Sequence, residues 1–235
     1  MKIMVINPNT SERMTNHIRE ELSQIKRPDT ELTVLCPDQG PETIESAYEE
    51  AHAIPPTLEL VTRANEEGYD AVILACFSDP GLEAAKEVSE ILVIGIEEST
   101  LHMAAMLGAR FSIMTPRQER IPARKEHVHT RGMDHFLASV RSLDLSVAET
   151  EADPKKTKRR VLKVAKEAVK EDGAEVIILG CAGMAGYAPE LESKLGVKVL
   201  DPTAVAMKVA EAMVDLGLKH SKLGLFAPPP KKKFK

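Results

Sequence analysis

The stretch "AVILACFSDPG", residues 71–81, is an apolar run that ends in a cysteine and passes at once into turn residues. Four to five consecutive apolar positions bounded by turn signals read as a strand buried on both faces. A second stretch, "EVIILGCAGM" at residues 175–184, has the same shape. Strands covered on both sides belong to parallel sheets flanked by helices, and the rest of the chain agrees with that. Short β-rich runs are expected at residues 3–7, 31–35, 71–75, 91–94, 111–114, 143–147, 176–180 and 197–200. Between them, apolar positions recur at helical spacing, as in Val161, Ala165, Ala168 and Val169. Pro80, Pro122, Pro154 and Pro202 stand where first helical turns are expected.

The chain also repeats itself once. "IMVINPNT" and "FSIMTPRQ" each end a first strand in a polar-Pro turn, and each is followed, after nearly the same length of chain, by a strand-end cysteine. The fold expected is α/β: two similar four-stranded parallel-sheet halves facing each other across a cleft. Residues 1–97 together with 204–235 form the first half, which carries Cys76. Residues 98–203 form the second, which carries Cys181. The chain should cross over near residues 96–100. A final helix at 204–216 and the tail "KLGLFAPPPKKKFK" should pack back on the first half, with the last basic residues loose.

Composition narrows the function. With 235 residues, 43% hydrophobic and 29% charged, the chain is neither disordered nor a membrane protein. Its apolar runs fall well short of the ~20 residues a spanning helix needs. The opening "MKIMVINPNTS" does not read as a secretory signal, so a cytoplasmic location is expected. A formal charge of -5 argues against a nucleic-acid partner. Three cysteines without a C-x-x-C pair indicate neither a disulfide framework nor a zinc site. His127 and His129, two apart with His135 nearby, would face different sides of a helix, so no metal site is expected. "GCAGMAG" is not a dinucleotide fingerprint, and no Walker lysine follows it. The run "KKTKRR" at residues 155–160 reads as the solvated face of a helix. The partner expected is a small molecule, with homo-oligomerisation anticipated on general grounds.

In open parallel sheets, functional groups collect beyond the carboxyl ends of the strands, and both cysteines stand there. A thiol at that point, just before a helix, meets unpaired backbone N–H groups and the positive end of the helix dipole, which favours the thiolate. Two such thiols around one carbon suit proton removal from one face and delivery to the other, with no cofactor required. Cysteine is also among the most buried residue types, and a small core residue is the plain alternative for either one. Cys36, with no counterpart in the second half, reads as strand-end packing. Asn9, Ser78 and Thr115 read equally as caps or as groups that hold ligand oxygens.

"INPNTS" (residues 6–11), "GPETIES" (40–46), "ACFSDPGL" (75–82), "FSIMT" (111–115) and "LGCAGM" (179–184) carry a resemblance that covers essentially the whole chain. The sequence resembles the aspartate/glutamate racemase superfamily, and within it the hydantoin racemase branch, which includes allantoin racemases. The resemblance implies cofactor-independent racemisation at C5 of a 5-substituted hydantoin, with Cys76 and Cys181 as the acid/base pair. It further implies donors around Ser78, Thr115, Ala182 and Gly183 for the enolate oxygen, Asn9 facing the ligand, and Phe77 as a wall for the substituent. Two positions depart from the branch: Ser78 stands where glycine is usual, and Pro116 where a second threonine is frequent. Allantoin, aspartate or glutamate as substrate, and a small-ligand binding protein, remain the alternative readings.

Overall fold

A computed structural model describes residues 1–230. The elements alternate as expected: β1 (Lys2–Ile6), α1 (Glu12–Ile25), β2 (Glu31–Leu35), α2 (Ala47–Glu66), β3 (Ala71–Leu74), α3 (Leu82–Val88) and β4 (Leu92–Gly95). Helix α4 (Ile96–Leu107) then leads into β5 (Phe111–Thr115), α5 (Ile121–Thr130), β6 (Leu137–Ser142), α6 (Val147–Ala152), α7 (Pro154–Asp172), β7 (Val176–Leu179), α8 (Ala188–Leu195), β8 (Lys198–Leu200) and α9 (Pro202–Asp215). The strands form two four-stranded sheets, β2-β1-β3-β4 and β6-β5-β7-β8. Every pairing is parallel, and the second sheet repeats the strand order of the first.

Alternation along the central strands builds the core. Ile3, Val5, Ala71 and Ile73 turn to the cluster that runs through both halves, whereas Met4, Ile6, Val72 and Leu74 turn to Val61 and Ala64 of α2 and Leu82 and Ala85 of α3. All four residues of β3 and all four of β7 are fully buried. At roughly 1.5–3 kcal/mol for each large side chain removed from water, both strands are firmly anchored in their sheets. The loops that follow them therefore leave from fixed points.

Helix α9 returns from the second sheet to pack on α1, α4, β3 and β4. Its Glu211 accepts from the Arg27 backbone N–H (2.7 Å) and the Thr30 hydroxyl (2.9 Å). The segment beyond continues onto the first sheet's edge, where the His220 ring accepts the Val93 N–H (2.8 Å) and Lys222 Nζ donates to the Lys86 carbonyl (2.6 Å). The basic residues expected to be loose, 231–235, lie outside the described residues.

Two local expectations are corrected. The sixth strand is Leu137–Ser142, and residues 143–146 are an extended loop that leads into α6, whose first residue is Val147. Leu143 and Leu145 of that loop and Val147 at the start of α6 are buried alternately, which imitates a strand's period of two. Asp144 has φ 51°, a left-handed conformation that ends the ladder. Pro80 does not open a helical turn: α3 starts at Leu82, after Gly81 in the left-handed region.

Candidate active site

The carboxyl ends of β1, β3, β5 and β7 converge on one small cleft. The first half lines it with Asn9, Met14, Ile44, Glu45, Cys76, Phe77 and Ser78. The second supplies Thr115, Pro116, Arg117, Arg120, Arg124, Val147, Cys181 and Ala182. Both strand-end cysteines thus face one enclosure, whereas Cys36 is not among its lining residues.

Cys76 sits in a tight turn. Its carbonyl accepts from the N–H groups of Ser78 (2.8 Å) and Asp79 (2.9 Å), and Asp79 takes a positive φ of 46°. The Asp79 carboxylate then accepts from the N–H groups of Glu97 (2.9 Å) and Glu98 (2.7 Å), so it caps α4 rather than the helix that follows it in sequence. A Cβ at Gly95 would lie 2.3 Å from that carboxyl, so this residue has to be glycine. The turn after Cys76 is tied in this way to the helix that joins the two sheets. Burial, together with the nearby Glu97 charge, pushes the Asp79 carboxyl up to about 7.

Cys181 follows Gly180, whose missing side chain lets the backbone approach the Met114 carbonyl, 2.7 Å from where a Cβ would stand. It precedes a single 3₁₀ turn, Ala182–Met184, and its Sγ accepts the Gly183 N–H at 3.4 Å. The Thr150 hydroxyl, which donates to the Val147 carbonyl (2.6 Å), lies beside this thiol, and Thr150 is fully buried. Gly183 therefore acts on Cys181 and does not line the cleft; Ala182 does.

The expectation of depressed thiol pKa values does not hold. Cys76 has no helix start against it, and burial, which outweighs the Ser78 hydroxyl at 3.4 Å and the Arg124 charge, pushes its pKa up to about 12. Burial likewise raises Cys181, against the Gly183 N–H and the Thr150 hydroxyl. Desolvation outweighs single hydrogen bonds here, because neither thiol has the full set of free N–H groups that a long helix would offer.

The remaining candidates take mixed roles. Asn9 Oδ1 accepts from Asn7 Nδ2 (2.7 Å) and from the Ser11 N–H (2.9 Å), so it organises its own turn. Among the described residues its Nδ2 has only Met14 Sδ at 3.5 Å, which leaves a donor for a ligand. Phe77 and Thr115 are buried and line the cleft. His127 and His129 diverge, the first to Glu97 (2.7 Å) and the second to Asp134 (2.9 Å).

An ionic network behind Cys76 escaped the sequence reading. Arg124 donates to the Phe77 carbonyl and to Glu97 (3.0 Å), and lies 3.6 Å from Glu50, which also pairs with Arg120. Burial opposes charge on Glu97, but Arg124 and the His127 hydrogen bond hold its carboxyl below the usual range. The one signal available was the spacing of Arg117, Arg120 and Arg124, which stacks them along one face of a helical segment. Glu45 accepts the Val147 N–H at the first turn of α6 and lies 3.9 Å from Arg117, so it too links the two halves beside the cleft.

Comparisons with known proteins agree over the whole chain. A family model described as Asp/Glu/Hydantoin racemase matches residues 3–210. A hydantoin racemase of Pseudomonas sp. (strain NS671) is 42% identical, covering 100% of this chain and 94% of the relative. The structure of an allantoin racemase from Klebsiella pneumoniae superposes with a TM-score of 0.96 at 38% identity, covering 100% of this chain and 96% of that one. The allantoin racemase of Pseudomonas fluorescens gives 0.95 at 34% identity, with full coverage of both chains.

Proposed function

Because the chain belongs to the Asp/Glu/hydantoin racemase family, we propose that it racemises 5-substituted hydantoins by two-cysteine proton transfer at C5. The observation that carries this reading is the convergence of Cys76 and Cys181, one from each half, on a single cleft. One thiolate takes the C5 proton and becomes a thiol. The electron pair left on carbon delocalises into the adjacent C4 carbonyl as an enolate. The opposite thiol then protonates C5 on the other face and is left as the thiolate, so the reverse reaction starts from the exchanged pair. Atoms and charge balance without a cofactor. The Asn9 amide, the Ser78 and Thr115 hydroxyls and the backbone at Ala182 are the donors for the developing oxyanion.

Met14, Ile44, Phe77 and Val147 give the cleft an apolar wall, which favours an alkyl or arylalkyl substituent at C5. Allantoin is the second reading, favoured by the TM-scores of 0.96 and 0.95 to allantoin racemases. Proton NMR in D₂O of single-enantiomer 5-benzylhydantoin, 5-isobutylhydantoin and allantoin, with optical rotation and a no-enzyme control, tests both. Enzyme-dependent deuterium uptake at C5 with loss of rotation is expected, fastest for the apolar substituents. A faster rate on allantoin would reverse the ranking. If none of the three is accelerated, the proposal fails, and aspartate and glutamate become the next substrates to try.

A further inference from the structure

Burial disfavours charge on the Cys76 thiol, so a thiolate formed there depends on the charges and donors the protein places around it. Some positive charge has to meet the Cys76 thiolate when it forms. We infer that Arg124 is the positioning residue for Cys76, a buried guanidinium that reaches across the cleft to anchor the Cys76 turn and carries the counter-charge to its thiolate. The inference rests on reading Cys76 as an acid/base group.

Arg124 comes from α5 in the second half, yet it donates to the carbonyl of Phe77, the residue next to Cys76 in the first. It lines the cleft while being only 5% exposed, and its guanidinium lies 5.9 Å from the Phe77 ring centroid. Glu97 of α4, fully buried, holds it from behind at 3.0 Å and is itself held by His127 at 2.7 Å. Glu50 of α2 flanks it at 3.6 Å and shares Arg120. Among the described residues, the charged and titratable groups that share the cleft with Cys76 are Arg124 from α5, Arg117 and Arg120 from the turn before it, Glu45 from the loop before α2 and Cys181 from the loop after β7; Glu50 of α2 flanks Arg124, and the Ser78 hydroxyl stands beside Cys76. Arg124 favours charge on Cys76, and Glu50 opposes it. Cys181 depends instead on the Gly183 N–H and the Thr150 hydroxyl, so the two thiols are stabilised by different means.

The test is alkylation by iodoacetamide from pH 6 to 10.5, with Cys76 and Cys181 peptides quantified separately by mass spectrometry. It needs no substrate, so it fails or succeeds independently of the racemase reading. Arg124→Gln is expected to move the Cys76 profile to higher pH, and alkylation at a given pH slows about tenfold for every pH unit the profile moves. Arg124→Lys keeps the charge and should fall between wild type and Arg124→Gln. Glu50→Gln, at a more accessible position, should move the Cys76 profile the opposite way, to lower pH. The Cys181 profile should stay in place in all three. A purely structural role for Arg124 predicts the same direction for Arg124→Gln and Glu50→Gln, or equal movement at both cysteines, and either result overturns the inference. So does an unmoved Cys76 profile in Arg124→Gln. If Arg124→Gln does not fold, Glu50→Gln decides by the direction in which its profile moves.

Discussion

Each strand-end thiol has a hydroxyl beside it, Ser78 for Cys76 and Thr150 for Cys181. At position 78 the side chain thus gives the thiol a partner that glycine would not. Under the proposed mechanism, replacing one cysteine with serine leaves a single competent base. Cys76→Ser and Cys181→Ser should each lose racemisation by about 10² to 10⁴, yet retain slow C5 deuterium exchange, each from the opposite enantiomer. Chiral chromatography of exchanged material separates the two variants, and exchange from the same enantiomer in both would contradict the assignment of one thiol to each face. The raised Cys76 pKa also has a sign for stability. The folded protein keeps a proton that the unfolded chain releases near pH 9, so the contribution is fully present below pH 9 and is lost as pH rises toward about 12. Wild type should therefore lose about 1 kcal/mol per pH unit above pH 9 relative to Cys76→Ala, measured by urea unfolding between pH 8 and 10.5. The cysteines were legible because each ends an apolar run and the two runs repeat. Arg124, Glu97, Glu50 and Thr150 were not, because they come from four different helices that only the folded topology brings together.

Elements with continuous apolar runs were the easiest to read from the sequence, and those with half-buried faces the hardest. β3 and β7 fall where "AVIL" and "VIIL" place them, since burial on both faces leaves no ambiguity. The edge strand β6, "LASVRS", is buried only at Val140, and its pattern is weaker than that of the loop beyond it. Helix α4 depends on a cap that lies 18 residues away, at Asp79. Asp79→Ala leaves the N–H groups of Glu97 and Glu98 without their acceptor and should cost about 1–3 kcal/mol in urea unfolding. Because the same carboxylate fixes the turn after Cys76, activity in Asp79→Ala should fall further than the loss of folded protein explains.

Across the whole molecule, the two sheets share one strand order, α4 and α9 join them, and Glu45 links the two halves beside the cleft. Glu45→Ala removes the bridge to α6. One hydrogen bond of about 0.5–1.5 kcal/mol corresponds to a roughly two- to tenfold rise in KM, with kcat less affected, in a polarimetric assay. Repetition of the sheets has a further consequence, which follows from handedness alone. Two segments of L-amino acids can be brought into correspondence by a rotation but never by a reflection. In the proposed reaction, the two faces of the planar enolate between them are related by reflection. The environments above and below that plane therefore cannot be identical, however closely the halves match. Left- and right-handed substrate molecules must then differ in KM and in kcat. Since enantiomers are equal in free energy, the ratio kcat/KM must nonetheless be the same for both at every pH, so the asymmetry appears only in how each enantiomer divides that common ratio between binding and turnover.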